Sequence, residues 1–141
     1  MLNLDTHILL YALTGDLTRR EASRLSKDTW SISAIVLWEI SKLSELRRIE
    51  IDLEHPELVR TLARIQTWPL ILEICRAIRT LDFRADPADE IIGATSIVHK
   101  IPLNPPLEAS PSGTLILTPS CSETRPWPKR CLNNYWKKES A

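Results

Sequence analysis

The first fifteen residues, MLNLDTHILLYALTG, contain the features that decide the fold. Met1–Leu4 is a short apolar run typical of a strand, and it ends at Asp5. Apolar residues then recur at helical spacing until Gly15, which is typical of a helix end. A strand that passes directly into a helix is typical of a βαβ unit. Asp5 therefore lies at the end of a strand, where α/β folds place their chemistry.

Strand-like and helix-like segments continue to alternate as far as residue 103. Further strands are predicted at Thr29–Ser33, at Trp68–Leu72 and from Ile101 to Leu103. Helices are predicted at Leu17–Asp28, Ala34–Leu46, Pro56–Gln66, Glu73–Leu81 and Asp86–Lys100. In the first of these helices we expect Leu17, Ala22 and Leu25 to face inward, and in the second Ile35, Trp38 and Leu46. This alternation predicts an α/β fold, with a short parallel sheet covered by helices.

Composition excludes several classes of protein. The chain of 141 residues suits one domain, and its 18 basic and 18 acidic residues give zero net charge, unlike a polybasic nucleic-acid binder. Its three cysteines form no C-x-x-C pair, so neither a zinc site nor a disulfide scaffold is expected. Glycine-rich nucleotide loops are absent from the sequence, and no signal segment or membrane span is recognisable. We therefore expect a cytoplasmic protein without a membrane partner.

The character of the chain changes near residue 102. Three prolines fall in residues 1–101 and seven in residues 102–128. Residues 1–100 carry a net charge of −2, and residues 101–141 carry +2. Dense proline cannot sustain a helix and suits only the edge of a sheet. The sequence thus predicts a folded domain at residues 1–103 and a proline-rich irregular tail at 104–141.

Four acidic residues are candidates for chemistry: Asp5 follows the first strand, Glu39 lies within the third helix, and Asp86 and Asp89 open the last helix. Carboxylates gathered in one crevice raise each other's pKa unless a cation is present. Their hard oxygen atoms favour Mg²⁺ or Mn²⁺ over zinc. Such a site can hold a phosphodiester for in-line attack by water, with paired ions roughly 3.5–4 Å apart.

Structural roles are an alternative for each of these acids. Asp86, Pro87 and Asp89 form the signature of a helix start, with Asp86 as N-cap, and Asp5 can cap the first helix in the same way. Glu39 lies among apolar residues and needs a partner if it is buried, which Lys42 can provide at i+3. Spacing alone leaves these alternatives open.

Three motifs make residues 1–101 resemble PIN-domain nucleases, in particular the VapC-type toxins of type II toxin–antitoxin pairs. They are LDTHILLYAL at 4–13, SISAIVLWEISKL at 31–43 and DPADEIIGATSIVHKIPL at 86–103. The resemblance implies an α/β/α sandwich and a Mg²⁺-dependent endoribonuclease. It also implies an antitoxin encoded alongside, an RNA substrate and a homodimer.

The resemblance assigns the metal and catalytic positions residue by residue. Asp5 matches the first metal-binding aspartate of the family, Glu39 the second acid and Asp89 the third, with Asp86 as a nearby metal helper or a cap. Thr6 and Ser33 match hydroxyl positions beside the metal, although helix capping is the favoured role for both.

The sequence departs from the family after Leu103. Relatives continue into a strand ending in Thr-x-Asp, whose aspartate completes the acidic cluster, whereas this chain has Leu107 at that position and Glu108 one residue later. Preceding prolines are expected to make strand pairing there poor. We hypothesise that the C-terminal strand and helix are missing because the gene is translated in another reading frame beyond this point, which sequencing would test.

Three hypotheses of function follow. The leading one is a ribonuclease whose activity is reduced by loss of the last acid. The second is a degenerate protein that binds its antitoxin or a second copy without cutting RNA. In a third, weaker one, basic residues of the tail contact phosphates: Lys129, Arg130, Lys137 and Lys138. Basic residues elsewhere are candidates for guiding RNA or simply exposed charges: Arg19, Arg20, Arg47 and Arg48.

Overall fold

A four-stranded parallel sheet forms the centre of the protein. The computed structural model describes residues 1–104, 107–109 and 115–117. The sheet contains β1 (Leu2–Leu4), β2 (Trp30–Ser33), β3 (Gln66–Trp68) and β4 (Leu103–Asn104), in the order β3-β2-β1-β4. Asn3 pairs with Ser31 on one side and with Leu103 on the other. The predicted parallel sheet is confirmed.

Six helices connect and cover these strands. They are α1 (Thr6–Thr14), α2 (Arg19–Leu25), α3 (Ala34–Glu45), α4 (Pro56–Leu62), α5 (Leu72–Ile78) and α6 (Pro87–His99). The end of α1 is as predicted, because Gly15 takes the left-handed conformation with φ of 75°. Glycine adopts this conformation without steric cost. The arrangement is the α/β/α fold that the sequence implies.

Two hydrophobic clusters flank the sheet. Every residue of β1 is buried, as expected of a parallel strand covered on both faces. Leu2 and Leu4 belong to the larger cluster, which includes side chains from α1, α2 and α3. The smaller cluster joins α5 to α6 through Ile74 and Ala94. The carboxyl end of β1, where Asp5 lies, is therefore enclosed by helices.

The inward face of α3 differs from the prediction. Trp38 and Leu46 are each more than half exposed, whereas Val36, Ile40 and Leu43 are buried. Both sets of residues occur at helical spacing, so the pattern alone does not choose between them. Ala22 of α2 is likewise exposed rather than inward, although Leu25 is buried as expected.

The boundaries of the next elements also shift. α4 ends at Leu62, and β3 occupies Gln66–Trp68 rather than starting at Trp68. Pro69 follows β3 directly. A proline has no amide hydrogen to donate to a sheet, so the strand ends where the prediction began it.

Two short strands lie beyond the parallel sheet. β5 (Leu107–Ala109) pairs antiparallel with β6 (Leu115–Leu117) in a separate sheet. The expectation of poor strand pairing near Leu107 is wrong for this segment, because both prolines precede the residues that pair. The rest of the predicted tail, with its basic residues, lies outside the described residues. The division at residue 103 stays a prediction.

None of the helices in the described part of the chain is long and apolar enough to cross a membrane.

Candidate active site

Asp5 occupies the junction between β1 and α1. Its backbone is extended, and its Oδ1 accepts a hydrogen bond of 2.8 Å from the amide of Ile8. The predicted capping role is therefore confirmed. A carboxylate has acceptor positions on both oxygens, so capping leaves capacity for a further ligand. The side chain is only 8% exposed.

The start of α6 brings two further acids. Asp86 caps the helix, since its Oδ1 accepts a 3.0 Å hydrogen bond from the amide of Ala88. Pro87 takes the first helical position, as the sequence predicts. Asp89 lies in the first turn and is partly buried. Asp86 thus has a structural role whether or not it also binds a metal, while Asp89 is not the capping residue.

Glu39 projects from the middle of α3 and is partly buried, as predicted. The hydroxyl of Thr6 donates a hydrogen bond to its Oε2. The alternative partner, Lys42, instead forms a 2.7 Å ion pair with Glu45. The salt-bridge explanation of Glu39 is therefore wrong, and the role of Thr6 is to hold Glu39 rather than to cap α1.

Ser33 is the second hydroxyl for which capping was favoured. It occupies the N-cap position of α3 but makes no capping hydrogen bond through its side chain. Its Oγ instead lies 3.3 Å from the Oγ1 of Thr95 in α6. The expected capping role is wrong, because the side chain faces the neighbouring helix and not its own helix end.

Burial raises the pKa of each of the three principal acids, and the charges of nearby carboxylates add to the rise. Burial raises the pKa of Asp5 to about 6, although the amides of Ile8 and His7 donate to its carboxylate and oppose the rise. Burial raises the pKa of Glu39 to about 7, where the Thr6 hydrogen bond opposes and nearby carboxylates add to the rise.

Asp89 shows the same effect and links the group. Burial and the charge of Asp5 raise its pKa to about 6, while His7 opposes this rise. The carboxylates of Asp5 and Asp89 also raise the pKa of Glu39. Asp5, Glu39 and Asp89, from three separate elements, thus share one electrostatic environment. We call them the acidic cluster.

A basic side chain, His7, acts on this cluster, because its charge opposes the rise in the pKa of Asp89. Several ion pairs of the described residues lie elsewhere: Met1 with Asp28, Lys42 with Glu45, Arg60 with Glu57 and Arg84 with Glu90. Like charges brought together in a buried site favour either protonation or a bound cation. The oxygen donors suit Mg²⁺ or Mn²⁺. Even so, no three acidic, histidine or cysteine side chains in the described segments are arranged to hold a metal ion directly.

Two further residues lie near the cluster, His7 and Asn3, and neither is predicted from the sequence to be a site residue. His7 is partly buried, and burial lowers its pKa while the charge of Asp89 opposes that change. Asn3 is fully buried in β1 and bonds to α6. The signal for Asn3 was present, because a polar residue interrupts the apolar run Met1–Leu4. His7 follows Asp5 closely enough to lie at the same junction.

The arginines considered as RNA guides remain candidates. Arg19 and Arg20 begin α2 and are exposed, as is Arg47, which follows α3 with φ of 53°. Exposed arginines are expected both of a surface that guides RNA and of an ordinary solvated surface. The RNA-guiding role therefore stays a prediction.

Several solved structures have a fold similar to that of this chain. A chain of a toxin–antitoxin complex from Klebsiella pneumoniae matches with 18% identity and a TM-score of 0.57, over 73% of this chain and 83% of that one. VapBC2 from Rickettsia felis, bound to a DNA fragment from its promoter, matches with 19% identity and a TM-score of 0.55, over 73% and 85%. FitAcB from Neisseria gonorrhoeae matches with 19% identity and a TM-score of 0.50, over 73% and 85%.

Comparison of sequences gives the family. Searching curated proteins yields no match. Residues 3–103, however, match the PIN domain, and this stretch contains the whole parallel sheet except for the outer residues of β1 and β4. It also contains all three residues of the acidic cluster. By its sequence and its fold, the chain belongs to the PIN domain family.

Proposed function

We propose that this protein is the toxin of a toxin–antitoxin pair and that it hydrolyses RNA phosphodiester bonds with Mg²⁺ or Mn²⁺. The observation that carries the proposal is the acidic cluster: three partly or fully buried carboxylates from different parts of the chain, in which burial raises every pKa and the charge of Asp5 adds to the rise at Glu39 and Asp89. Such an arrangement costs stability in the ion-free protein. Perturbed pKa values in a crevice are typical of functional sites.

Some residues of the site would bind the ion, and others position those residues. Asp5, Glu39 and Asp89 would hold the ion, with Asp86 as a further candidate. Thr6 donates to one oxygen of Glu39 and so fixes the direction of that carboxylate. Capping by Asp5 and Asp86 fixes the starts of α1 and α6, where Asp5 and Asp89 of the cluster lie. These contacts hold the ligands in place before an ion binds.

When bound, a divalent cation supplies positive charge at the scissile phosphate and lowers the pKa of water. Binding it requires that the acidic cluster lose its protons. The hydrogen bond from Thr6 favours the charged form of Glu39, and that from Ile8 favours the charged form of Asp5. Both contacts therefore prepare the carboxylates to accept a cation.

Cleavage of cellular tRNA and rRNA fragments tests the proposal. The purified chain should cut RNA only with Mg²⁺ or Mn²⁺, and Asp5→Asn, Glu39→Gln and Asp89→Asn should each reduce the rate by about 100-fold or more. Glu45→Gln is a matched control, since Glu45 is an exposed acid on the same helix as Glu39. Equal rates in the wild type and the three cluster variants would overturn the proposal.

Calorimetric titration with Mn²⁺ separates binding from chemistry. The wild type should bind at least one ion, and the cluster variants should bind it more weakly while Glu45→Gln does not. Because Leu107 replaces the usual last acid and lies in β5, outside the parallel sheet, a second ion should be held more weakly than the first. The expected cleavage rate is correspondingly lower than that of a relative with four acids.

An antitoxin is the proposed protein partner, supported by relatives solved in toxin–antitoxin complexes. Large apolar side chains remain about half exposed at two helices: Trp38 of α3, Leu46 directly after its last residue, and Val59 of α4. Exposed apolar surface is typical of interaction sites. Co-purification with the neighbouring gene product tests this partner. Light scattering tests the homodimer that the resemblance implies.

A second candidate function is binding without cleavage. It is favoured by the lack of a ready metal-holding arrangement in the described residues and by Leu107 in place of the last acid. Such a protein would bind its antitoxin or a second copy but would leave RNA intact. Stable complex formation with no Mn²⁺ uptake and no Mg²⁺-dependent cleavage would select this function over the first.

A further inference from the structure

The face of the sheet that meets α6 is polar although it is fully buried. Asn3, Ser31 and Ser33 are each 0% exposed, and Thr95 and Ser96 are buried opposite them in α6. Polar groups cost free energy when buried unless they are hydrogen-bonded. Five buried polar residues at one interface therefore indicate a function other than apolar packing.

Asn3 makes the bonds that join β1 to α6. Its Nδ2 donates to the Oγ of Ser96 at 2.8 Å and to the carbonyl oxygen of Ile92 at 3.2 Å. Its Oδ1 has no hydrogen-bond partner in the described part of the chain. An unsatisfied buried acceptor is costly, so this residue is not explained by stability alone.

The geometry places this contact on the same two faces as Asp5 and Asp89. Asn3 and Asp5 are two residues apart along extended backbone, so their side chains lie on one side of the sheet. Ser96 and Asp89 are seven residues apart in α6, which is about two helical turns. The Asn3–Ser96 bond therefore sits two turns along α6 from the acidic cluster, on the matching face.

The packing of α6 makes a directional contact useful. Gly93 and Ala94 are buried in the middle of the helix and offer little side-chain volume to stop sliding or rotation. Apolar contacts are non-directional, whereas hydrogen bonds fix both distance and angle. Two bonds from one rigid strand to one side of α6 define its rotation and its position along the sheet.

We propose that Asn3 and Ser96 are positioning residues that set the rotation and axial position of α6, and thereby place Asp89 opposite Asp5. This inference rests on the proposed metal-dependent function for its purpose, but the position of α6 is measurable on its own. Supporting groups beyond the ligands typically contribute 10–100-fold to metal affinity.

The test uses the double variant Asn3→Leu with Ser96→Ala, which replaces the polar contact by apolar groups. The carbonyl of Ile92 keeps its place in the helix ladder, so no new unsatisfied group is created there. Overall stability should stay equal to or above that of the wild type. Ser96→Ala alone is the milder variant, since it leaves Asn3 bonded to Ile92.

Ser31→Ala is the matched control. Ser31 pairs with Asn3 in the sheet and is equally buried, but its Oγ donates to the carbonyl of Leu2 within the sheet and not to α6. It thus reports the loss of one buried hydrogen bond in the same layer. All variants are compared by amide hydrogen exchange of α6 and by calorimetric titration with Mn²⁺ alone.

In the double variant, α6 amides should exchange roughly tenfold faster than in Ser31→Ala because two hydrogen bonds are lost. Mn²⁺ affinity should fall by about 10–100-fold, with the global unfolding midpoint retained. Exchange in α6 equal to that of the control overturns the inference, whatever the Mn²⁺ result. Faster exchange with unchanged Mn²⁺ affinity overturns the positioning of Asp89. If the wild type binds no Mn²⁺, the proposed function fails, and the exchange result alone decides how α6 is held.

Discussion

α4 and α6 begin with the same local chemistry but are used in opposite ways. Each starts with a capping side chain followed by proline: His55 and Pro56 in α4, Asp86 and Pro87 in α6. Yet α4 has no buried residue, whereas six residues of α6 are buried. The start of a helix is therefore determined by its neighbouring residues, whereas the position of the helix in the fold depends on which of its side chains are buried.

The difference also separates stability from function within one chain. α6 carries Asp89 and contacts the sheet, so its position affects the acidic cluster. α4 instead has exposed contacts within its own helix, such as the ion pair of Arg60 with Glu57. Changes in α6 should accordingly be costly and specific, and those in α4 should be small.

The largest expected difference is in core packing. Ile92→Ala in α6, at a side chain that is 1% exposed, should lower the free energy of unfolding by about 2–5 kcal/mol through lost burial and a cavity. Val59→Ala in α4, at a side chain that is 51% exposed, should lower it by less than about 0.5 kcal/mol. Urea unfolding measures both. Similar losses at the two sites would contradict the contrast between the helices.

Next in size is the effect of removing a buried charge beside α6. Because its pKa is raised to about 6, Asp5 favours the folded state fully below about pH 4 and loses that contribution as the pH rises through about 6. Asp5→Asn should therefore stabilise the ion-free protein at pH 8, by up to about 3 kcal/mol, and have little effect at pH 4. Asparagine caps a helix as well as aspartate does.

Asp52→Asn, just before α4, is the control for that experiment. Asp52 also accepts a backbone hydrogen bond, 2.9 Å from the amide of Glu54, but it is exposed. Thermal unfolding at the two pH values should show a change below about 0.5 kcal/mol. A pH-independent effect of Asp5→Asn would mean that the charge of Asp5 is not the cause.

The pH dependence of metal binding should report the protonation of the acidic cluster. The raised pKa values of about 6 for Asp5 and Asp89 and about 7 for Glu39 mean that protons must leave before an ion binds. Mn²⁺ affinity should rise by roughly tenfold per pH unit for each proton released. It should level off above about pH 7. Calorimetry from pH 5 to 8 checks this, and a flat profile would refute protonation of the cluster.

The smallest effect is predicted for the surface of α4. Arg60→Ala removes the 2.8 Å ion pair with Glu57, whose side chains are both more than 70% exposed. Solvent screens such pairs, so the free energy of unfolding should change by less than about 0.5 kcal/mol. Urea unfolding at low and high salt measures the loss. A change above about 1 kcal/mol would show that α4 is coupled to the core after all.

Local signals in the sequence predicted the element order and several boundaries. Gly15 marks the end of α1, and Asp86 with Pro87 marks the start of α6, because capping depends on neighbouring residues only. The inward face of α3 was not predictable in this way. Apolar side chains of α3 point in several directions around the helix. Which of them are buried, Val36 and Ile40 and not Trp38, therefore depends on the elements that pack against the helix.

For the candidate site, residue types pointed to the acids but not to their partners. Asp5, Glu39 and Asp89 were selected by their positions in motifs, and the structure gives them a shared electrostatic environment. That Thr6 bonds to Glu39, 33 residues away, depends on how α1 and α3 meet. The same holds for Asn3 and Ser96, whose contact exists only once α6 lies on the sheet.

The pairing of β1 with β4 also has a consequence for synthesis of the protein. Asn3 and Leu103, one hundred positions apart, are neighbours in the sheet. The central strand is made first, but one of its edges stays open until almost all of the folded domain has left the ribosome. Such distant pairing slows folding. Since Asp89 lies 84 residues after Asp5, the three acids come together only after most of the domain has been synthesised.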